Sequence, residues 1–147
     1  MKEEYLLPYL AGVFDGEGTV TIINHRKLYC RRVNPSVNLR IAVVMTDEQI
    51  PTLFSVVFGG TIKNYSRNGH PKWKSVWLWG ENSSQAVDVL KQLLPYLILK
   101  KPQALLAIEF MENYHPQKGG GKPLPPEEFA TRLKFSKEMS RLNRKGN

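Results

Sequence analysis

Glu17 stands between two glycines at the end of an apolar stretch, Tyr9–Gly18. Gly12 and Gly16 are four residues apart, so on a helix they share one face. A face without side chains lets a second backbone approach closely. Glu17 follows where the chain leaves the helix in an unusual backbone conformation that glycine tolerates. The spacing predicts a close helix contact with an acid at its tip; the alternative is an ordinary helix C-cap that leads into a strand.

The composition limits the chemistry that can accompany this acid. The chain has 147 residues, 41% of them hydrophobic, which is enough for one domain with a real core. The single cysteine, Cys30, excludes an intrachain disulfide and a Cys-based zinc site, and the three histidines are far apart. The 21 Lys and Arg against 13 Asp and Glu give a net charge of +8. This charge favours a polyanionic partner, with nucleic acid first; the alternative is a soluble protein that happens to be basic.

The sequence also bears on location. No apolar run approaches the roughly 18 residues of a membrane-spanning helix. The acidic start of the chain is unlike a signal or transit peptide. We therefore expect no membrane partner, and a location in the cytoplasm or nucleoid of a prokaryote, or in an organelle matrix if the chain is organelle-encoded.

Periodicity and turn residues predict the elements that position Glu17. Pro8 fits the first turn of a helix, which places the start of the first helix at Leu6 or Leu7 and its end near Asp15. A second helix is expected to be capped by Thr46. Strands are expected at 18–23, 34–45, 61–67 and 72–79, and further helices at 84–94, 102–113 and 126–143. The fold class is α+β, in the order α-β-β-α-β-β-α, with a four-stranded antiparallel sheet, helices on one face and additional C-terminal helices.

Alternation along the strands separates two sheet faces. In the second strand Val37, Leu39, Ile41 and Val43 share the core face, while Ser36, Asn38, Arg40 and Ala42 share the other. That second face has only one charge, which is typical of a contact surface; the alternative is a merely solvated face. Its side chains suit base edges and phosphates. The fourth strand is less clear, since Trp73, Trp77 and Trp79 blur its alternation, and core is favoured for at least two of them.

The segment Leu10–Gly18, together with this order of elements, resembles the motif of the LAGLIDADG homing endonucleases. Phe58–Ile62 resembles that family's turn into its third strand, and Leu94–Ala104 resembles its stretch with a basic active-site residue. One copy of the motif in a short chain is similar to the single-motif subgroup, whose members act as homodimers. The resemblance covers about residues 5–114 and implies one endonuclease domain over 1–147, with a flexible linker at about 115–125 and a C-terminal helix at about 126–144.

The resemblance implies a site shared by two protomers. Tyr9, Gly12, Val13 and Gly16 would form the dimer contact, and Glu17 with the carbonyl of Gly16 would bind Mg²⁺, for which Mn²⁺ or Ca²⁺ can substitute in binding. Lys100 would stabilise developing phosphate charge; from its residue type alone, a solvated lysine beside Lys101 is favoured. Met45 stands where the family often has a water-positioning Gln, so Gln49, one helical turn later, is the candidate for that role.

The resemblance also implies a function. The partner would be double-stranded DNA with a long pseudo-palindromic target, cut to leave 3′ overhangs, and the enzyme would spread its own intron or intein-type element. The alternatives are a cleavage-deficient DNA- or RNA-binding relative (an intron maturase or a transcription regulator), against which Glu17 and Lys100 argue, and an unrelated basic α/β interaction domain. The basic C-terminal helix, with Arg132 among its charges, would cap the fold or contact flanking phosphate. The residues expected to contact DNA are Thr21, Ile23, His25, Arg31, Arg32, Asn34, Ser36, Asn38, Arg40, Lys63, Tyr65, Arg67 and Lys74.

Overall fold

The computed structural model describes residues 1–25, 36–66, 69, 72–114 and 124–144. Over these residues the chain alternates helices and strands in the order that the sequence predicts, so the α+β fold class is confirmed. The elements, in chain order, are α1 (Glu3–Glu17), β1 (Gly18–His25), β2 (Ser36–Met45), α2 (Gln49–Phe58), β3 (Thr61–Tyr65), β4 (Val76–Asn82), α3 (Ser83–Leu93), a 3-10 turn (Leu94–Tyr96), α4 (Lys101–Asn113) and α5 (Pro126–Arg144).

The four strands form one antiparallel sheet in the order β1-β2-β4-β3. Residues that face each other in an antiparallel pair lie on the same side of the sheet, so the register assigns every side chain to a face. The core face contains the apolar strand residues that are 5% exposed or less, which are Val20, Ile22, Val37, Leu39, Ile41, Val43 and Trp79. The opposite face is called the open face below.

The helices pack on the core face through large apolar side chains. Leu10 and Phe14 of α1, Phe54 of α2 and Leu90 of α3 are fully buried. The Phe54 ring lies 4.9 Å from the Trp79 ring and 6.5 Å from the Phe14 ring, measured between centroids. This aromatic cluster fixes the end of α1 against the middle of the sheet, which is what a site at that helix end requires.

The structure decides the faces of the tryptophans. Trp79 is buried, and its indole Nε1 donates a hydrogen bond to the Gly59 carbonyl at 2.7 Å. Trp77 lies on the same face, opposite Met45 of β2. Trp73 precedes β4 and is 53% exposed. Two of the three therefore lie on the core face.

Three of the differences between the predicted and the observed element boundaries have a physical explanation. α1 begins at Glu3 rather than at Leu6 or Leu7, so Pro8 lies inside the helix. The hydrogen bond that Pro8 cannot make would go to the carbonyl of Glu4, which is exposed in the first turn and open to water. Acids at Glu3 and Glu4 favour this earlier start through the helix dipole.

The second difference is the start of α2. Thr46 does not cap this helix; Asp47 Oδ1 instead accepts the N–H of Gln49 at 2.8 Å. The third is β4, which starts at Val76 and continues to Asn82 instead of covering 72–79. Its pairing with β2 explains the shift, because the ladder runs until Asn82 faces Arg40.

None of the helices in the described ranges is both long and apolar enough to cross a membrane.

Candidate functional site

The end of α1 presents Gly16 and Glu17, both exposed, at the start of β1. The turn from helix into strand needs glycine at position 18, though not for its backbone angles, since φ there is an ordinary −77°. A Cβ at Gly18 would lie 2.5 Å from Cδ2 and 2.6 Å from the backbone oxygen of Phe14. Glycine is therefore required because β1 leaves directly over Phe14, which corrects the expectation of an unusual backbone conformation.

Asp15 joins this helix end to the segment before α4. Its two carboxylate oxygens accept the backbone N–H groups of Ile98 (2.8 Å) and Lys100 (2.9 Å). Lys100 Nζ in turn donates to the Asp15 carbonyl at 2.7 Å. The structure thus holds the Lys100 ammonium against the last turn of α1, two residues from Glu17.

Sequence reasoning treated Asp15 only as a helix-end residue and missed these bonds. A signal was present, because a carboxylate in the last turn of a helix opposes the negative end of the helix dipole and needs compensating donors. The donors lie 83 and 85 residues further along the chain, so the sequence does not identify them.

A cleft of about 730 Å³ opens at this point. It brings together the tip of α1, Lys100, the start of β1 and the ends of α4 and α5. Glu17 is not among the described residues that line the cleft, although Gly16 and Gly18 on either side of it are. Gln49 does not line it either, and Met45 packs against the core, so a catalytic role for Gln49 stays a prediction. The lining residues are Asp15, Gly16, Gly18, Thr19, Thr21, Leu99, Lys100, Pro102, Gln103, Leu142 and Asn143.

α5 closes the outer edge of β1, a contact that the predicted capping of the fold by this helix did not specify. Ser136 Oγ donates to the Ile22 carbonyl at 2.7 Å, and Asn143 Nδ2 donates to the Val20 carbonyl at 2.9 Å. An uncovered edge strand would present these carbonyls to any other strand. The prediction that Arg132 contacts phosphate is wrong, because its side chain is buried within the fold. Arg132 is 3% exposed, lies over the Tyr114 ring and pairs with Glu128 at 2.8 Å.

The register places most of the predicted DNA-contacting residues on the open face. Thr21 faces Arg40 and Ile23 faces Asn38, while Lys63 and Tyr65 lie on the same side of β3. Arg40 is partly exposed, and Lys63 and Tyr65 are exposed, so these groups are free to meet a partner.

Some predicted contacts are placed differently. Ser36 is only 4% exposed, and Asn38 Nδ2 donates to its hydroxyl at 3.3 Å, so Ser36 serves to orient Asn38 rather than to present a free hydroxyl. Lys74 is exposed in the segment before β4 instead of in the strand. The remaining expected contacts, namely the His25 side chain and Arg31, Arg32, Asn34 and Arg67, lie outside the described residues, as does most of the expected linker.

One face of α1 is bare. A Cβ at Gly12 or Gly16 would meet no atom within 4 Å, and Tyr9, one turn before Gly12, is 41% exposed. Val13 is partly buried and packs against the core, so it lies at the margin of this face. Ile98, tied to α1 by Asp15, is 81% exposed, and Leu99 beside it is 70% exposed. Tyr9, Gly12, Gly16, Ile98 and Leu99 are called the α1 stripe below.

A metal site within one protomer is not formed by the described residues. Among them, no three His, Cys, Asp or Glu side chains lie close enough together to hold an ion. Glu17 does supply one exposed carboxylate, and the carbonyl of Gly16 is among the last four of α1, which lack an intrahelical partner. Carboxylate and carbonyl oxygens are the donors that Mg²⁺ and Ca²⁺ prefer. The donor types fit such an ion, and the two donors of one protomer are fewer than the six or more oxygen ligands that these ions take.

Comparison with known proteins gives structural matches. Neither a protein-family model nor a curated protein matches this sequence. The homing endonuclease I-CvuI, solved with its target in the presence of Ca, is similar at 21% identity and a TM-score of 0.65, over 92% of this chain and 80% of that one. The archaeal intron-encoded homing endonuclease I-Vdi141I, complexed with DNA, is similar at 16% identity and a TM-score of 0.72, over 96% and 86%. The LAGLIDADG homing endonuclease I-GzeII, in complex with its DNA target, is similar at 16% identity and a TM-score of 0.60, over 90% of this chain but 43% of that one. The chain therefore has the fold of the LAGLIDADG homing endonucleases.

Proposed function

We propose that the chain is a homodimeric, site-specific DNA endonuclease that uses a divalent cation. The observation on which this rests most is the joint position of Glu17 and Lys100: an exposed carboxylate and an ammonium held by Asp15 occupy one helix end, beside the open face of the sheet. This arrangement suits phosphodiester hydrolysis, in which negative charge develops on the phosphate.

We infer a dimer because one chain lacks the second carboxylate that a shared cation site needs. The Asp15 carboxylate is taken up by backbone N–H groups, so one protomer offers only the Glu17 carboxylate at the tip of α1. The α1 stripe beside it is exposed and largely apolar. A two-fold contact along this stripe would bring two Glu17 carboxylates together. The match to I-GzeII, which covers 90% of this chain but only 43% of that one, is what a unit used twice would produce.

Each functional group then has a role. Glu17 and the Gly16 carbonyl of both protomers would hold the cation, preferably Mg²⁺, which polarises the scissile phosphate when bound. Lys100 would stabilise the developing phosphate charge. The open face, with Arg40 and Lys63, would bind the duplex, and the two-fold symmetry implies a long pseudo-palindromic target. Cleavage that leaves 3′ overhangs, and the spreading of the enzyme's own element, belong to the same proposal.

The test begins with DNA selected by the protein from a random duplex library and incubated with Mg²⁺. We expect double-strand cuts at one site. Glu17→Gln should reduce cleavage by about 10³-fold, since several kcal/mol of transition-state stabilisation are lost, and should retain DNA binding. Glu112→Gln, an exposed acid of α4, is the matched control and should cleave like the unaltered protein.

Two results would contradict the proposal. One is cleavage that continues undiminished in the Glu17→Gln variant. The other is specific binding without any cut by the unaltered protein, which would instead favour a cleavage-deficient relative such as a maturase or a transcription regulator.

A further inference from the structure

The centre of the open face contains a block of residues without hydrogen-bonding side chains. Ala42 faces Gly80 and Val44 faces Leu78 across the β2–β4 ladder, and Val76 continues the row along β4. Ala42 and Val76 are buried, whereas Val44 and Leu78 are partly exposed. These five residues are called the apolar patch. An aliphatic pair in the middle of a sheet face that is mostly polar, with Ile23 as a further apolar side chain on β1, is suited to contact with an apolar group of a partner.

The surroundings of the apolar patch are polar and cationic. Arg40 and Asn82 face each other at one end of the patch. Lys63 faces Leu78 from β3, and Tyr65 faces Val76. With a net charge of +8 on the whole chain, this rim attracts a polyanion. A nucleic acid fits better than a protein partner, because the charged groups of this rim are cationic and the side chains of Asn38 and Arg40 beside the patch suit base edges.

A nucleic acid offers few apolar groups to such a patch. In the major groove each base edge presents hydrogen-bond donors and acceptors, and the exception is the C5-methyl group of thymine. A donor or acceptor pressed against Val44 or Leu78 would lose its water without gaining a partner, which costs free energy. A thymine methyl at the same place gains from burial.

We propose that the apolar patch, through Val44 and Leu78, selects base pairs that present a thymine methyl in the major groove. The inference rests on the proposed function, in which the open face binds duplex DNA. Because each protomer contributes one patch, the thymine requirement appears twice in the target, at symmetry-related positions. Arg40 and Asn38, in the neighbouring rows, read base edges by hydrogen bonds instead.

The experiment removes methyl groups one at a time. DNA sites are selected by the dimeric full-length protein from a random duplex library, and each thymine of the selected site is then replaced by deoxyuridine, which differs only in lacking the methyl. We expect about fourfold weaker binding at the positions that contact the patch, the cost of losing one buried methyl-sized group. Cytosine at such a position should bind poorly, and 5-methylcytosine should recover about the same factor.

Variants assign the effect to the patch. Leu78→Gln should abolish the deoxyuridine sensitivity at one base pair of each half-site and shift its preference towards adenine, which a side-chain amide can pair with. Leu78→Ile should keep the sensitivity. Val56→Gln is the matched control, since Val56 is 76% exposed on α2, away from the sheet, and should leave the site unchanged.

The outcomes separate this inference from the proposed function. If no sequence is enriched, site-specific recognition fails and the inference fails with it. If a site is enriched but deoxyuridine is tolerated throughout, the inference alone is overturned, and this series on the unaltered protein needs no variant to fold. Unchanged sensitivity in a folded Leu78→Gln protein overturns it equally.

Discussion

At the scale of the residue, Asp15 does more for the site than its position at a helix end suggests. Its carboxylate accepts two backbone N–H groups, and its carbonyl accepts Lys100 Nζ. These bonds orient the Lys100 ammonium. Among the described residues, it is the one cation that is hydrogen-bonded to the end of α1. Asp15 is therefore a positioning residue for Lys100, and it is itself not needed as a metal ligand.

Asp15→Asn tests this role. The amide has one acceptor oxygen instead of two, and its NH₂ group opposes a backbone N–H, so we expect a loss of about 1–3 kcal/mol in the free energy of unfolding. Displacement of Lys100 should lower the cleavage rate by about tenfold to 10²-fold with little change in DNA affinity. Denaturant unfolding and single-turnover cleavage measure the two effects. Asp88→Asn, an exposed acid on α3, makes the same change in charge and should alter neither; equal cleavage rates for both variants would refute the positioning role.

The residue types predict part of this site and cannot predict the rest. Glu17 between two glycines and the bare Gly12–Gly16 face are local patterns, so the sequence contains them directly. The bonds of Asp15 join residues more than 80 positions apart and depend on how the 97–100 segment packs. The burial of Ser36 likewise depends on tertiary packing, which the alternation of residue types along a strand does not predict.

At the scale of the element, α5 is the part whose role was least predictable. Its amphipathic pattern predicts a helix, and the structure has one from Pro126 to Arg144. The pattern does not reveal that two polar residues of this helix bond to carbonyls of β1, since such side chains in a helix are usually solvated. The β4 shift has a similar origin, because pairing with β2, rather than composition, decides where the strand ends.

The edge contacts of α5 lead to a stability prediction. Ser136→Ala and Asn143→Ala each leave a β1 carbonyl without its side-chain donor, which should reduce the free energy of unfolding by about 1 kcal/mol per site. The double variant should also aggregate more readily, because the outer edge of β1 becomes available to other strands. Thermal unfolding and light scattering during heating measure these effects. Ser140→Ala, an exposed serine of the same helix, is the control; if it destabilises as much as Ser136→Ala does, the edge bonds are not the cause.

At the scale of the whole molecule, a glycine of the α1 stripe can be replaced without disturbing the fold of the monomer. Gly12 lies inside α1 and Gly18 follows its last residue, but a Cβ would collide with Phe14 at Gly18 and would meet nothing at Gly12. A side chain at Gly12 therefore leaves the monomer intact, and replacing glycine inside a helix even favours that helix by about 1 kcal/mol. Any effect of such a change on activity must then come from contact with a second molecule.

Gly12→Leu tests the dimer, because it changes the α1 stripe without disturbing the fold of the monomer. The added side chain would hold two α1 helices apart, so we expect a folded monomer at micromolar concentration where the unaltered chain is a dimer. Cleavage should then be lost even though Glu17 and Lys100 are intact, because each protomer supplies only one carboxylate to the shared site. Sedimentation or multi-angle light scattering measures the association, and circular dichroism verifies the fold. Ala130→Leu places the same side chain on an exposed position of α5 and should remain dimeric and active. A Gly12→Leu protein that stays dimeric and cleaves its site would show that two protomers meet elsewhere, and the pairing of Glu17 carboxylates across the α1 stripe would have to be abandoned.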